Sequence, residues 1–128
     1  MIDVLVVDDD EQFGELIVER LVLEGIAAAL QAGPFGTINR IRRERPALVI
    51  LDVNMPAISG QELSKLLREA DGLRDIKVLL MSSMDADQLE RVRAEVQADA
   101  ALTKSADRTQ LLATVKRLLQ RRRTDSKP

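Results

Sequence analysis

Short unbroken apolar runs alternate with longer stretches of helical period along this chain, a pattern that predicts an α/β domain built on a parallel sheet. The first run, Val4-Leu5-Val6-Val7, is uninterrupted and rich in β-branched residues, as a strand buried on both faces requires. Gln12 to Leu23 follows, with Phe13, Leu16, Ile17, Leu21 and Val22 at helical spacing, and Gly25 stops that helix. Ile26 to Leu30 predicts a weak second strand, because Ala27, Ala28 and Ala29 are poor strand formers. Gly33-Pro34 opens a helix that runs to about Arg45, with Ile38 and Ile41 turned inward.

Ala47-Leu48-Val49-Ile50-Leu51, ending at Asp52, is the strongest strand signal in the sequence. A loop containing Met55-Pro56 and Ser59-Gly60 leads into a helix over Gln61 to Glu69. Lys77 to Met81 predicts a fourth strand ending at Ser82-Ser83, and Asp85 to Val96 a helix. Ala100 to Thr103 reads as a short fifth strand. Asp107 caps a last helix whose buried stripe is Leu111, Leu112, Val115, Leu118 and Leu119. These make five βα units with no internal repeat and no domain boundary: residues 1–123 as one domain, and 124–128 as a frayed tail or the start of a linker.

Composition narrows the chemistry. The 128 residues suffice for one self-supporting core, and the 45% hydrophobic and 31% charged content is that of a soluble globular protein. No apolar run approaches the roughly 18 residues of a membrane span. Asp8, Asp9 and Asp10 interrupt the only early apolar stretch, so no signal peptide is expected. The absence of Cys suits a reducing cytosol, and a cytoplasmic location is the expectation. Without His or Cys, the usual zinc ligand sets and His-based triads are excluded, which leaves carboxylates, hydroxyls and amines. Net charge is −2 but uneven: residues 1–115 carry 13 basic against 20 acidic side chains, residues 116–128 six against one. Lys116, Arg117, Arg121, Arg122 and Arg123 fall late in a helix, where positive charge complements the macrodipole. Phe13 and Phe35 are the only aromatics, so nucleic-acid binding by stacking finds little support.

The polar residues that matter stand at strand ends. Asp8 and Asp9 follow the first strand, Asp52 ends the third, Ser82 the fourth, and Lys104 follows the fifth. Right-handed crossovers point parallel strands the same way, and ligands of such sheets bind at the carboxyl edge. Singly these residues read as an acidic first helical turn, a turn-forming Asp, an N-cap region and a solvated Lys. Together, carboxylates crowded at one edge call for a hard divalent cation such as magnesium, with Lys104 adding positive charge. Ser82 offers a hydroxyl donor. Such a set fits phosphoryl transfer onto Asp52, which needs mainly charge neutralisation and alignment.

Val6-Val7-Asp8-Asp9-Asp10, Leu51-Asp52-Val53-Asn54-Met55-Pro56 with Gly60, Leu80-Met81-Ser82-Ser83 and Leu102-Thr103-Lys104, in this order and spacing, resemble the receiver domain of two-component response regulators. The resemblance runs from Val4 to about Leu119 and implies a flavodoxin-like (βα)5 doubly wound sandwich with strand order 2-1-3-4-5. It implies that Asp52 is the phosphoacceptor, fed by a histidine kinase or histidine phosphotransfer protein, and that the domain is a switch and not a turnover enzyme. Magnesium would then be held by Asp9 directly, by Asp8 largely through water, by Asp52, and by the backbone carbonyl of Asn54. Ser82 would be the switch hydroxyl and Lys104 the phosphate contact, with Asp10 outside the metal set. Asn54 and Met84 fall where the family tunes the lifetime of the acyl phosphate. The signalling face would comprise Asp85–Val96, Ala100–Thr103 and Asp107–Arg123. It would act on a downstream protein, an attached output domain or a second copy in a homodimer, with no direct nucleic-acid or membrane contact.

Three positions depart from the family pattern. Ala101 stands where many receivers carry an aromatic that follows the switch hydroxyl. Ser105 replaces the proline that commonly follows the lysine, so a trans or a strained Lys104–Ser105 bond is expected. Gln97 replaces a glycine before the fifth strand. These leave open a non-switching interaction module of the same fold. A magnesium-dependent phosphatase with an aspartate nucleophile is a further alternative, although it wants a second Asp where this chain has Asn54.

Overall fold

In the computed structural model, which describes residues 2–55 and 59–125, the two most apolar runs lie side by side inside the sheet. They are β1 (Val4–Val7) and β3 (Leu48–Asp52), buried at every position. Beside them stand β2 (Ala28–Gln31), β4 (Lys77–Ser82) and β5 (Ala100–Thr103), all parallel, in the order β2-β1-β3-β4-β5. The alanine-rich β2 and β5 take the edges, where a strand is only half covered. This is the flavodoxin-like arrangement expected of the sequence.

Between the strands run α1 (Glu11–Leu23), α2 (Thr37–Glu44), α3 (Gly60–Glu69) and α4 (Ala86–Val96), and α5 (Arg108–Asp125) follows β5. The period-two alternation of each strand sorts its residues between two cores. Val4, Val6, Leu48, Ile50, Leu79 and Met81 pack with Ile17 and Leu21 of α1 and Leu111, Val115 and Leu118 of α5. Leu5, Val7, Val49, Leu51, Val78 and Leu80 pack with Ile41 of α2, Leu63 and Leu67 of α3, and Leu89 and Val96 of α4. Carried past the strand ends, the same alternation puts Asp8, Asp52 and Lys104 on the α1/α5 side.

Gly14, Ile17 and Leu21 form the buried stripe of α1, whereas Leu16 and Val22 lie off it, 40% and 53% exposed. Gly14 belongs to that stripe because a Cβ there would come 2.5 Å from a methyl of Leu30, so α1 packs closely on β2. The second helix begins at Thr37, not at Gly33-Pro34, because Gly33 and Gly36 adopt positive φ ahead of it. The Lys104–Ser105 bond is trans, since no cis peptide occurs among the described residues. Asp107 caps α5 as expected: the Gln110 N–H donates to its carboxylate at 2.9 Å, and the Gln110 side chain accepts from the Asp107 N–H. Helix α5 continues to Asp125, while Pro56 and residues 126–128 lie outside the described residues.

Gln97 occupies the left-handed region (φ 58°, ψ 39°) as the C-cap of α4, its N–H donating back to Ala94 and its neighbour Ala98 to Arg93. A side chain at such a position is strained, and glycine relieves the strain at some cost in chain entropy. Gln97→Gly is therefore expected to stabilise the fold by about 0.5–1 kcal/mol, read as a higher urea midpoint at unchanged slope. A lower midpoint would contradict this account of the turn.

Candidate functional site

At the carboxyl edge the three inner strands and β5 each give way to a polar group. Asp8 follows β1, Asp52 closes β3, Ser82 closes β4 and Lys104 follows β5. Two backbone bonds hold these ends level: the Val53 N–H donates to the Met81 carbonyl at 3.0 Å, and the Lys104 N–H to the Ser82 carbonyl at 2.8 Å. Gly60 brings the start of α3 against the end of β3, since a Cβ there would stand 2.4 Å from the Asp52 carbonyl oxygen. That approach is closed to any other residue. Ser59 and Glu62 form a capping box that fixes the same helix start.

Asp8 and Asp52 are buried, at 2% and 4% exposure, while Asp9 is exposed. Asp8, Asp9 and Asp52 each present a carboxylate oxygen, and the three lie within 4.8 Å of one another. The Lys104 ammonium stands 3.0 Å from Asp8 Oδ2 and 3.6 Å from Asp52 Oδ2. Asp8 Oδ1 accepts the Asp10 N–H at 2.9 Å, and Asp52 Oδ1 accepts the Asn54 N–H at 3.1 Å.

These contacts do not balance the charge. Burial pushes the Asp52 carboxyl up to about 6, with the Asp8 charge adding to it, against the opposing pull of the Asn54 N–H and Lys104. Burial pulls Lys104 down, but its hydrogen bond to Asp8 and the charges of Asp8, Asp52 and Asp10 outweigh this and raise it, so it stays cationic. A cluster of hard oxygen donors with charge left over fits magnesium: oxygen ligands alone, one or two carboxylates, and remaining positions for water or a phosphoryl oxygen.

Ser82 is fully buried, and its Oγ accepts from the Asn54 side-chain amide at 3.0 Å and from the Met84 N–H at 3.1 Å. With both lone pairs engaged, the hydroxyl has its proton left to offer. On β5, Ala101 is one of the residues that line a groove of about 200 Å³, with Leu89, Glu90, Thr103, Ala106 and Gln110.

The structure gathers Asp8, Asp9, Asp52, Asn54, Ser82 and Lys104 at one edge. Sequence reasoning missed three of their attachments. Lys104 sits nearer Asp8 than Asp52. The Asn54 side chain, and not only its backbone, reaches the site through Ser82. Phe13, read as an ordinary apolar position of α1, places its ring 4.7 Å from the Lys104 ammonium. The signal available for Phe13 was its rarity, as one of two aromatics in the chain.

The family described as "Response regulator receiver domain" matches residues 4–116 of the chain. The response regulator MprA of Mycobacterium sp. (strain KMS) is 30% identical over 125 residues, covering 98% of this chain and 54% of its own length. This chain thus spans about half the length of that relative. A CheY-like receiver domain from Methanospirillum hungatei superposes with a TM-score of 0.86 at 22% identity, over 98% of this chain and 99% of that one. The Vibrio cholerae chemotaxis protein CheY4 does so with a TM-score of 0.83 at 24% identity, over 92% and 98%. At those identities the structural likeness speaks for the fold.

The raised Asp52 carboxyl has a consequence for stability. Its folded value, about 6, exceeds its ordinary value of 3.8, so the folded chain holds that proton more tightly than the unfolded one. Stability from this group is therefore present at low pH and is lost as pH rises from about 4 through about 6. In metal-free protein at pH 7, Asp52→Asn is expected to stabilise by about 1–3 kcal/mol, an advantage that shrinks towards pH 4. Denaturant melts in a chelator read it directly. A variant no more stable than wild type at pH 7 would overturn the uncompensated-charge reading.

Proposed function

The chain belongs to the response regulator receiver domain family of two-component signalling, and on that premise we propose that it is a switch charged by a phosphoryl group on Asp52. Receiver domains of this family are generally signalling switches and not turnover enzymes, and the same is proposed for this chain. The observation that carries the proposal is the convergence of Asp8, Asp9 and Asp52 within 4.8 Å, with Lys104 beside two of them.

In the proposed reaction an Asp52 carboxylate oxygen attacks the phosphorus of a phosphohistidine on a histidine kinase or phosphotransfer protein. The P–N bond breaks with its electron pair left on the imidazole, which takes up a solvent proton, and a mixed anhydride forms on Asp52. Asp8, Asp9, Asp52 and the Asn54 carbonyl are the proposed magnesium ligands. When bound, magnesium would neutralise the carboxylates and the equatorial phosphoryl oxygens, the main requirement of this chemistry. Lys104 is within reach of a phosphoryl oxygen on Asp52 after giving up Asp8, and the Ser82 proton is available as a second donor. Asn54 stands where an aspartate-nucleophile phosphatase carries a second carboxylate, and its amide is committed to Ser82, which favours the switch over that enzyme.

The output is proposed to pass through α4, β5 and α5, by recruiting Ser82 and Lys104 to the phosphoryl group and so shifting the strand ends that carry them. Ala101 leaves no aromatic ring to follow Ser82, so any relay on this face runs through backbone and the groove itself. The recipient is proposed to be an output domain or a separate protein.

Acetyl phosphate with magnesium is expected to add about 80 Da, one phosphoryl group, to wild type by intact mass, with no such adduct on Asp52→Asn or without the metal. A wild type that takes up nothing would sink the proposal and leave a non-switching module of the same fold.

A further inference from the structure

A closed circuit of contacts joins the first turn of α1 to the lysine. Asp8 Oδ1 accepts the Asp10 N–H at 2.9 Å. Asp10 in turn is the N-cap of α1, its carboxylate accepting the Phe13 N–H at 3.2 Å. The Phe13 ring then faces the Lys104 ammonium at 4.7 Å, and Lys104 returns to Asp8 Oδ2 at 3.0 Å. Thus the N-cap that starts the helix also fixes where the ring stands.

We infer that Phe13 is a positioning residue for Lys104, a role that rests on the acceptor reading of Asp52. A ring face attracts an ammonium without consuming any of its N–H donors, whereas a carboxylate consumes one or more. Lys104 must exchange Asp8 for a phosphoryl oxygen on Asp52, and its present separations of 3.0 and 3.6 Å make that a short swing. The ring accompanies the ammonium through the swing and keeps it from escaping towards solvent. Phe13 is half-buried and packs against the α1/α5 core, so the ring itself is held on its other side. Leucine fills much of the same space but offers no quadrupole.

The test compares Phe13→Leu and Phe13→Tyr with wild type in two readouts. One is the rate of Asp52 phosphorylation by acetyl phosphate with magnesium; the other is the ring-current displacement of the Lys104 ε-methylene proton resonances. Phe13→Leu is expected to slow adduct formation about 2- to 5-fold, the size of a partly exposed cation–π contact, and to abolish the upfield displacement. Phe13→Tyr is expected to restore both. A wild type whose Lys104 ε-protons show no upfield displacement overturns the contact even if Phe13→Leu does not fold. Equal rates in wild type and Phe13→Leu, or equal slowing in both variants, overturn the positioning role while the acceptor reading stands. If wild type itself takes up no phosphoryl group, the acceptor reading has failed and the positioning role falls with it.

Discussion

Three carboxylates brought to one edge of a sheet repel one another, and two of them are buried. The electrostatics of this edge follow from how that repulsion is only partly relieved. Lys104 bridges Asp8 and Asp52, and backbone N–H groups satisfy one oxygen of each. The Asp52 carboxyl nevertheless remains pushed up to about 6 by its burial. A site left with surplus negative charge is disposed to take a divalent cation, and a phosphoryl group offers the cation further oxygens. The folded state thus carries a local destabilisation of the kind a bound cation would relieve.

The scaffold supplies the convergence. Two apolar strands, β1 and β3, are buried at every position, and their parallel pairing aligns the residues that follow Val7 and Leu51. Alternation along each strand then decides the side: Asp8, Asp52 and Lys104 continue the set that faces α1 and α5, which is why the ring of Phe13 on α1 can reach the lysine. Gly60 permits the close passage of α3 over the Asp52 carbonyl, so a residue without chemistry of its own shapes the end of β3.

Much of this was legible in the chain. Apolar runs ending in Asp, Asp, Ser and Lys announce both the sheet and the polar edge where those groups converge, because strand period and crossover handedness leave few other arrangements. What escaped was set by distances that no pattern encodes. Leu16 and Val22 have the right spacing for a helical stripe, yet α1 is rotated so that Gly14, Ile17 and Leu21 face the sheet. The nearer partner of Lys104 and the grip of Asn54 on Ser82 depend on tenths of an ångström and on rotamers. Gln97 and Ser105 depart from the family pattern, but the backbone keeps a left-handed turn at the first and a trans bond before the second.

On this geometry the charge around Asp52 is expected to stay uncompensated until a divalent cation arrives. A pH titration of the Asp52 carboxyl carbon by NMR, with and without saturating magnesium, measures this charge balance at the atom concerned. The midpoint should lie at about 6 in metal-free protein and move down when magnesium is present. A midpoint near the ordinary 3.8 in both conditions would contradict the account.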